Sequence, residues 1–155
     1  MADDQALAAP HQETIDYLLA QVCRLHRARA ELLLEGIGLF RGQPPLLMIL
    51  HDEDGLPQGE LAARLQIAPA TLTKMLQRME RAGFLQRRID AVDQRVSRVH
   101  LTAAGRAVRT ELLAVLGLLE AETFAGLSAD ELLLLRGFLE RLRANLQQAV
   151  TEKER

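Results

Sequence analysis

Two apolar-faced segments separated by only three residues constrain this chain more than any other feature. Pro57 opens a short helical segment that carries Leu61, Ala62 and Leu65. Gln66-Ile67-Ala68 interrupts it, and Pro69 starts a second segment with Leu72, Met75, Leu76 and Met79 on one face, stopped by Gly83. Proline suits a first helical turn because that turn needs no amide donors. A three-residue link is too short to let two helices lie side by side and antiparallel, so they must cross steeply. Two extended stretches follow, Phe84 to Arg88 and Val96 to Leu101, around the polar tip Asp90-Ala91-Val92-Asp93-Gln94. That pattern reads as a hairpin with a tip longer than a tight turn. Helix, short turn, helix and hairpin together make a winged helix-turn-helix.

The flanks read as long helices. From Thr14 to Glu35, apolar residues recur at Ile15, Leu18, Leu19, Val22, Leu25, Leu32 and Leu33, one helical stripe ended by Gly36, Gly38 and Gly42. Pro44 and Pro45 fit the first turn of a helix from Leu46 to Glu53, and Asp54-Gly55 is a turn. Thr102 is an N-cap for a long helix bearing Val108, Leu112, Val115, Leu116 and Leu119. Ser128-Ala129-Asp130-Glu131 is a capping box that starts a last helix with Leu132, Leu135, Leu139, Leu142 and Leu146, and Thr151 to Arg155 is expected to fray. The fold class is therefore mainly α, a winged helix-turn-helix with long N- and C-terminal helices forming a dimerisation region. The dimer expectation has a physical basis. Leucine-rich first and last helices exceed what a small winged domain can bury, so they need a partner surface. Two-fold symmetry then sets two reading helices about one duplex turn apart and implies a palindromic operator.

At 155 residues and 48% hydrophobic, the chain suits one globular domain. Aromatics are 3% with no Trp, which argues against a reader that stacks single-stranded bases. The longest apolar stretch, Leu112 to Leu119, falls far short of the ~20 residues that span a bilayer, so no membrane partner is expected. A single cysteine excludes an internal disulfide, and the opening Met-Ala-Asp-Asp-Gln lacks a basic-then-apolar signal; a cytoplasmic location is the expectation.

Charge is uneven. Residues 1–59 hold 4 basic and 9 acidic side chains, residues 60–100 hold 8 and 4, and residues 101–155 hold 7 and 8. The middle third is a basic island in a chain of net charge −2, as expected of a surface that meets an anionic partner, double-stranded DNA. With Leu72 at the centre of the buried face, 100° per residue turns Ala70, Thr73, Lys74, Gln77 and Arg81 outward and puts Arg78 at the flank. A helix fits the major groove, and Thr, Lys and Gln carry suitable donors and acceptors. On the wing, Asp93 and Arg95 are two apart and share a side if the backbone is extended. Arg95 then suits a narrow minor groove, Asp93 pairs with a neighbouring guanidinium, and Arg87, Arg88 and Arg98 hold phosphates at the base. The bland alternative is a solvated helix face and a hairpin charged for solubility.

The stretch from Glu60-Leu-Ala-Ala-Arg through Ala68-Pro-Ala-Thr-Leu-Thr-Lys-Met-Leu76, then Arg78-Met-Glu-Arg-Ala-Gly-Phe-Leu-Gln-Arg-Arg88, Asp93-Gln-Arg95 and Leu101-Thr-Ala-Ala-Gly105, resembles the MarR family of bacterial transcription regulators. The resemblance covers nearly the whole chain. It implies one MarR-like chain over 1–155, with a DNA-binding lobe at 44–101 and dimerisation helices at 11–36 and 103–150. It further implies a base-reading helix from Pro69 to Ala82, with Pro69, Ala70 and Thr71 in its first turn, and a minor-groove arginine at Arg95. The chain departs from the family pattern at Ala68, usually a capping Ser or Asp, at Ile89, usually Pro or Arg, and at Gln94, usually basic. These departures touch the phosphate contacts, not the fold.

The resemblance also implies a repressor that responds to a small effector, aromatic or phenolic in class, held in a cleft between the dimer helices and the DNA-binding lobe. Cys23, His26, Met48 and His51, on the facing sides of the first two helices, are the candidate lining. Cys23 and His26 are three apart and thus neighbours, which opens a second reading, a Cys23-based redox sensor. The family's peroxide-sensing cysteine, however, sits near Leu18 here, with tyrosines this chain lacks. His51, Asp52, Glu53 and Asp54 are too few for the family's zinc sites, whose ligands lie after the wing, so neither metal nor cofactor is expected. His11 and His100 look incidental. No nucleophile–base–acid set and no Gly-rich phosphate loop is present, so no enzyme is expected. A winged module that binds protein and ignores DNA is the remaining alternative.

Overall fold

A computed structural model of the protein describes residues 14–153. Its contacts divide the chain into two compact units, Met1–Leu119 and Glu120–Arg155. In the first, α1 (Ile15–Glu35) begins where Thr14 accepts the Tyr17 N–H at 3.2 Å. Residues 11–13 of the expected first helix lie outside the described residues, as does His11. Next come α2 (Gln43–Asp52), β1 (Leu56–Pro57), α3 (Gln58–Leu65), α4 (Pro69–Arg81), β2 (Leu85–Ile89) and β3 (Ser97–Leu101). The helix α5 (Ala103–Thr123) starts in the first unit and ends in the second, which also holds α6 (Ala129–Lys153). Residues 151–153 continue α6 rather than fray, while 154 and 155 lie outside the described residues.

The sheet has three antiparallel strands in the order β1-β3-β2, one more than the expected hairpin. Leu56 pairs with Val99 and Pro57 with Arg98, while Leu85 to Ile89 pair with Leu101 to Ser97. A two-residue strand has no periodicity to read, and its proline, lacking an N–H, is tolerated because β1 is an edge. The turn between α3 and α4 is made by Gln66, in the left-handed region at φ 53°. This closes α3, with the Ile67 N–H reaching back to the Ala62 carbonyl at 3.1 Å. Ala68 supplies no side-chain cap, and Pro69 needs none at its own nitrogen.

The core of this unit gathers one face from each element: Leu46, Leu47 and Leu50 of α2, Leu61 of α3, Leu72, Leu76 and Met79 of α4, Leu85, Val99 and Leu101 of the sheet, and Val108 and Leu112 of α5. The start of α5 is locked to the end of α4. Thr102 donates its hydroxyl to the Gly83 carbonyl at 2.6 Å and accepts the Gly105 N–H at 3.0 Å. Its own N–H binds the Phe84 carbonyl at 3.1 Å. Gly105 is required by this approach, since a Cβ there would lie 1.8 Å from the Phe84 oxygen. That contact is the structural content of the Leu-Thr-Ala-Ala-Gly sequence.

In the second unit, Ser128 and Glu131 form the expected capping box: the Ser128 N–H reaches the Glu131 carboxylate at 2.8 Å and the Glu131 N–H reaches the Ser128 hydroxyl at 3.3 Å. The end of α5 and α6 enclose an apolar groove of about 620 Å³ lined by Phe124, Leu132, Leu135 and Leu139, rimmed by Arg136, Glu140 and Arg143. Leu133, Leu134, Phe138, Leu146 and Val150 of α6 are exposed, as are Ile15, Leu18, Leu25 and Leu32 of α1. No helix among the described residues is long and apolar enough to cross a membrane.

Candidate nucleic-acid interface

The buried face of α4 fixes what its other face presents. Leu72, Leu76 and Met79 are at most 1% exposed. That turns Ala70, Lys74, Gln77 and Arg81 to solvent, with Pro69, Thr71 and Arg78 also exposed. Thr73 is only half-buried, and its hydroxyl donates to the Pro69 carbonyl one turn back at 2.9 Å. Arg81 Nε rests on the Gln77 carbonyl at 3.2 Å.

Glu80, the one acid of α4, is drawn away from this face. Its carboxylate accepts Nε and Nη2 of Arg87 at 2.9 and 2.6 Å, and the Arg87 backbone N–H at 2.9 Å. Those hydrogen bonds, the guanidinium ones first, hold the Glu80 carboxyl below its ordinary pKa against the opposing effect of burial. The exposed charges of α4 are then Lys74, Arg78 and Arg81, all positive. Arg87, expected to hold phosphate, is instead a brace between helix and wing. The sequence carried one signal for this, a lone acid in a basic helix seven residues before an arginine, but only the Gly83 turn brings the two together.

The wing tip is a chain of aspartate-capped turns rather than extended backbone. Asp90 accepts the N–H groups of Val92 and Asp93 at 2.7 and 3.0 Å. Asp93 accepts the Arg95 N–H at 3.0 Å. Asp93 therefore aims Arg95 through its backbone and not by pairing with a guanidinium. Arg98, expected at a phosphate, is also internal: Nε binds the Asp90 carboxylate and Nη1 donates to the Gly55 carbonyl at 3.0 Å. Asp90 is held down to a pKa of about 2, first by Arg98 and then by the two backbone N–H groups. Arg88 and Arg95 remain exposed and make no ion pair among the described residues. Of the four wing arginines, two build the wing and two are presented. Gln58 Nε2 donates to the Ser97 hydroxyl at 2.9 Å and ties α3 to the same hairpin.

The candidate effector residues do not converge within the protomer. Cys23 and His26 are exposed on α1. Met48 packs partly buried against the winged-lobe core. His51 turns inward, its Nε2 buried without a hydrogen-bond partner. Burial lowers its pKa, Arg109 and Arg106 of α5 add to that, and the Gly105 carbonyl and Asp52 oppose it. None of the four lines the α5–α6 groove or the cavity beside α4. Residues 51–54 also diverge. Glu53 pairs with Arg64 at 2.7 Å, and Asp54 accepts the Leu101 N–H at 2.8 Å and Arg106 Nη1 at 3.1 Å. Asp54 thus anchors β3 and α5, a role no sequence spacing indicated.

A helix whose exposed charges are all cationic, crossed by a second helix and followed by a braced basic wing, defines a winged helix-turn-helix protein of the DNA-binding class. The sequence model of the MarR family matches residues 41–97. The "probable transcriptional regulator" from Pseudomonas aeruginosa superposes with a TM-score of 0.71 at 32% identity, over 84% of this chain and 98% of that one. The HTH-type transcriptional repressor Rv2887 of Mycobacterium tuberculosis is 29% identical over 142 residues, 92% of this chain and 96% of that protein. The HTH-type transcriptional regulator TtmR of Methylorubrum extorquens is 34% identical over 67 residues, 43% of this chain and only 34% of that relative's length. The chain belongs to the MarR family and is a transcriptional regulator of the DNA-binding winged-helix type.

Proposed function

We propose that the protein is a homodimeric repressor that binds a palindromic operator and leaves it when a small effector binds. The observation that carries the DNA reading is the removal of Glu80 from the outward face of α4, which leaves Lys74, Gln77, Arg78 and Arg81 beside a wing that presents Arg88 and Arg95. In this reading α4 lies in the major groove, with Ala70, Thr73, Lys74 and Gln77 toward base edges and Thr71, Arg78 and Arg81 at its margins. Arg95 enters the minor groove and Arg88 meets a phosphate. Arg87, Asp93 and Arg98 act by holding the wing.

The dimer is supported by the exposed leucine faces of α1 and α6, which are larger than a monomer leaves in water. The winged lobe is taken as residues 44–101 and the dimerisation helices as 11–36 and 103–150. Repression is supported by the name of the mycobacterial relative. An effector, aromatic or phenolic in class, must favour a form with the wrong spacing between the two reading helices, because a ligand with equal affinity for both forms shifts nothing. Among Cys23, His26, Met48 and His51, the exposed pair on α1 is the more accessible to a ligand completed by a second protomer.

Selection of duplexes from a random pool at moderate salt tests this directly. The expected product is a palindrome with half-sites about one turn apart. A folded dimer that enriches no sequence, before and after refolding to strip bound ligand, would refute the reading and favour a protein-binding module.

A further inference from the structure

Beside the reading face of α4 lies a notch of about 260 Å³. It is walled by Arg41, Lys74 and Arg78, with Phe40 and Met75 as its apolar side and Gln43 at its back. We propose that this notch seats a backbone phosphate of the bound duplex, with Arg41 as a contact residue outside the helix-turn-helix itself. The proposal rests on the DNA-binding reading above.

Three observations carry it. The three cations are exposed and none has an acidic partner among the described residues, so the notch is a concentration of uncompensated positive charge. Gln43 is 97% buried, since only 3% of its surface is exposed. Its Oε1 accepts the Phe40 N–H at 2.9 Å, which fixes this polar side chain at the back of the notch. Finally, the location matches where phosphates must lie. Met75 and Arg78 flank the outward line of Ala70, Lys74, Gln77 and Arg81 on α4, and Lys74 lies at the edge of that line next to them. A helix seated in the major groove has a sugar–phosphate row along each flank.

The approach of Arg41 to α4 depends on Gly42. That residue has φ +86°, and a Cβ there would meet Met75 Cε at 3.1 Å. The α2 N-terminus itself offers little, because the Gln43 N–H is spent on the Phe40 carbonyl and the next two residues are Pro44 and Pro45. Side chains, not a helix dipole, therefore make this seat. The apolar wall of Phe40 and Met75 suits the deoxyribose next to the phosphate.

The test uses the full-length protein and Arg41→Ala, a change at an exposed side chain. Binding to the selected operator and to a random duplex of equal length is followed by fluorescence anisotropy across a salt series. Arg41→Ala is expected to weaken both complexes by a similar factor and to flatten the log–log salt slope by about one, with base preference unchanged. Single neutral methylphosphonates placed along the operator locate the contact. At one phosphate per half-site, neutralisation should weaken the wild type clearly more than Arg41→Ala, which keeps only Lys74 and Arg78 at the seat. Unchanged affinity and slope in Arg41→Ala, and no such phosphate, overturn the seat while leaving the DNA reading intact. Failure of the wild type to bind any duplex overturns the DNA reading first. Benzoate stabilising the wild type but not Arg41→Ala against heat, with DNA binding equal in both, assigns the notch to a free organic anion and also overturns the proposal.

Discussion

Replacing Gly105 by alanine should damage the protein far more than a helix-favouring substitution normally would. The added Cβ would sit 1.8 Å from the Phe84 oxygen and 2.9 Å from its carbonyl carbon, both backbone atoms that cannot rotate away. Restoring ordinary contact requires the first turn of α5 to retreat by more than ~1 Å, since a Cβ essentially never lies closer than 3.0 Å to another non-bonded heavy atom. That retreat stretches the 3.1 Å bond from the Thr102 N–H to the Phe84 carbonyl beyond hydrogen-bonding range. Overpacking costs about 1–3 kcal/mol, with a rigid backbone neighbour at the upper end. The lost bond adds about 1 kcal/mol. Alanine recovers about 1 kcal/mol through helix propensity. The net loss is about 3 kcal/mol. Gly59, in α3, has nothing within 4 Å of the place a methyl group would take, so Gly59→Ala should instead stabilise by about 0.5 kcal/mol. Urea unfolding of both variants at one protein concentration measures this. With a slope of about 2 kcal/mol per molar, Gly105→Ala should lower the midpoint by about 1.5 M and Gly59→Ala should raise it slightly. A Gly105→Ala midpoint within about 0.3 M of wild type, by the same slope, would refute the close-approach argument.

Other outcomes are equally checkable. Gln77→Ala should change preference at one base pair by about 1–3 kcal/mol in competition binding, leaving the salt slope intact. Arg95→Ala should weaken binding on most sequences and reduce the slope by about one. Asp90 has a folded pKa near 2 against an ordinary value of 3.8, so its contribution is full above pH 4 and is lost as pH falls toward 2. Asp90→Asn should flatten the acid limb of wing-amide hydrogen exchange between those values. Glu80→Gln should leave Arg87 with a neutral partner, loosening the wing and weakening operator binding without altering half-site spacing.

Much of this molecule is visible in its residue order. The three-residue break at Gln66–Ala68, the prolines at 57 and 69 and the stop at Gly83 fix two crossing helices through local backbone chemistry. The buried stripe of α4 follows from spacing alone, and with it the exposure of Lys74, Gln77 and Arg81. Both long-helix caps, Thr102 and Ser128, were likewise local, because a capping side chain reaches only two or three residues.

What each charge does was not local. Arg87 and Arg98 look the same in sequence as Arg88 and Arg95, yet the first two are bound to Glu80 and to Asp90 with Gly55. A guanidinium's role depends on which carboxylate or carbonyl the fold places within about 3 Å, and the Gly55–Arg98 contact joins residues 43 apart in the chain. The strand at Leu56–Pro57, the anchoring of β3 by Asp54 and the gathering of Arg41 beside α4 have the same origin. Sequence alone determined the helices, their stops and the face α4 buries, since those follow from interactions within one or two turns. Only the tertiary structure decided which cations are left free for a ligand, because neutralising the others takes partners from distant elements.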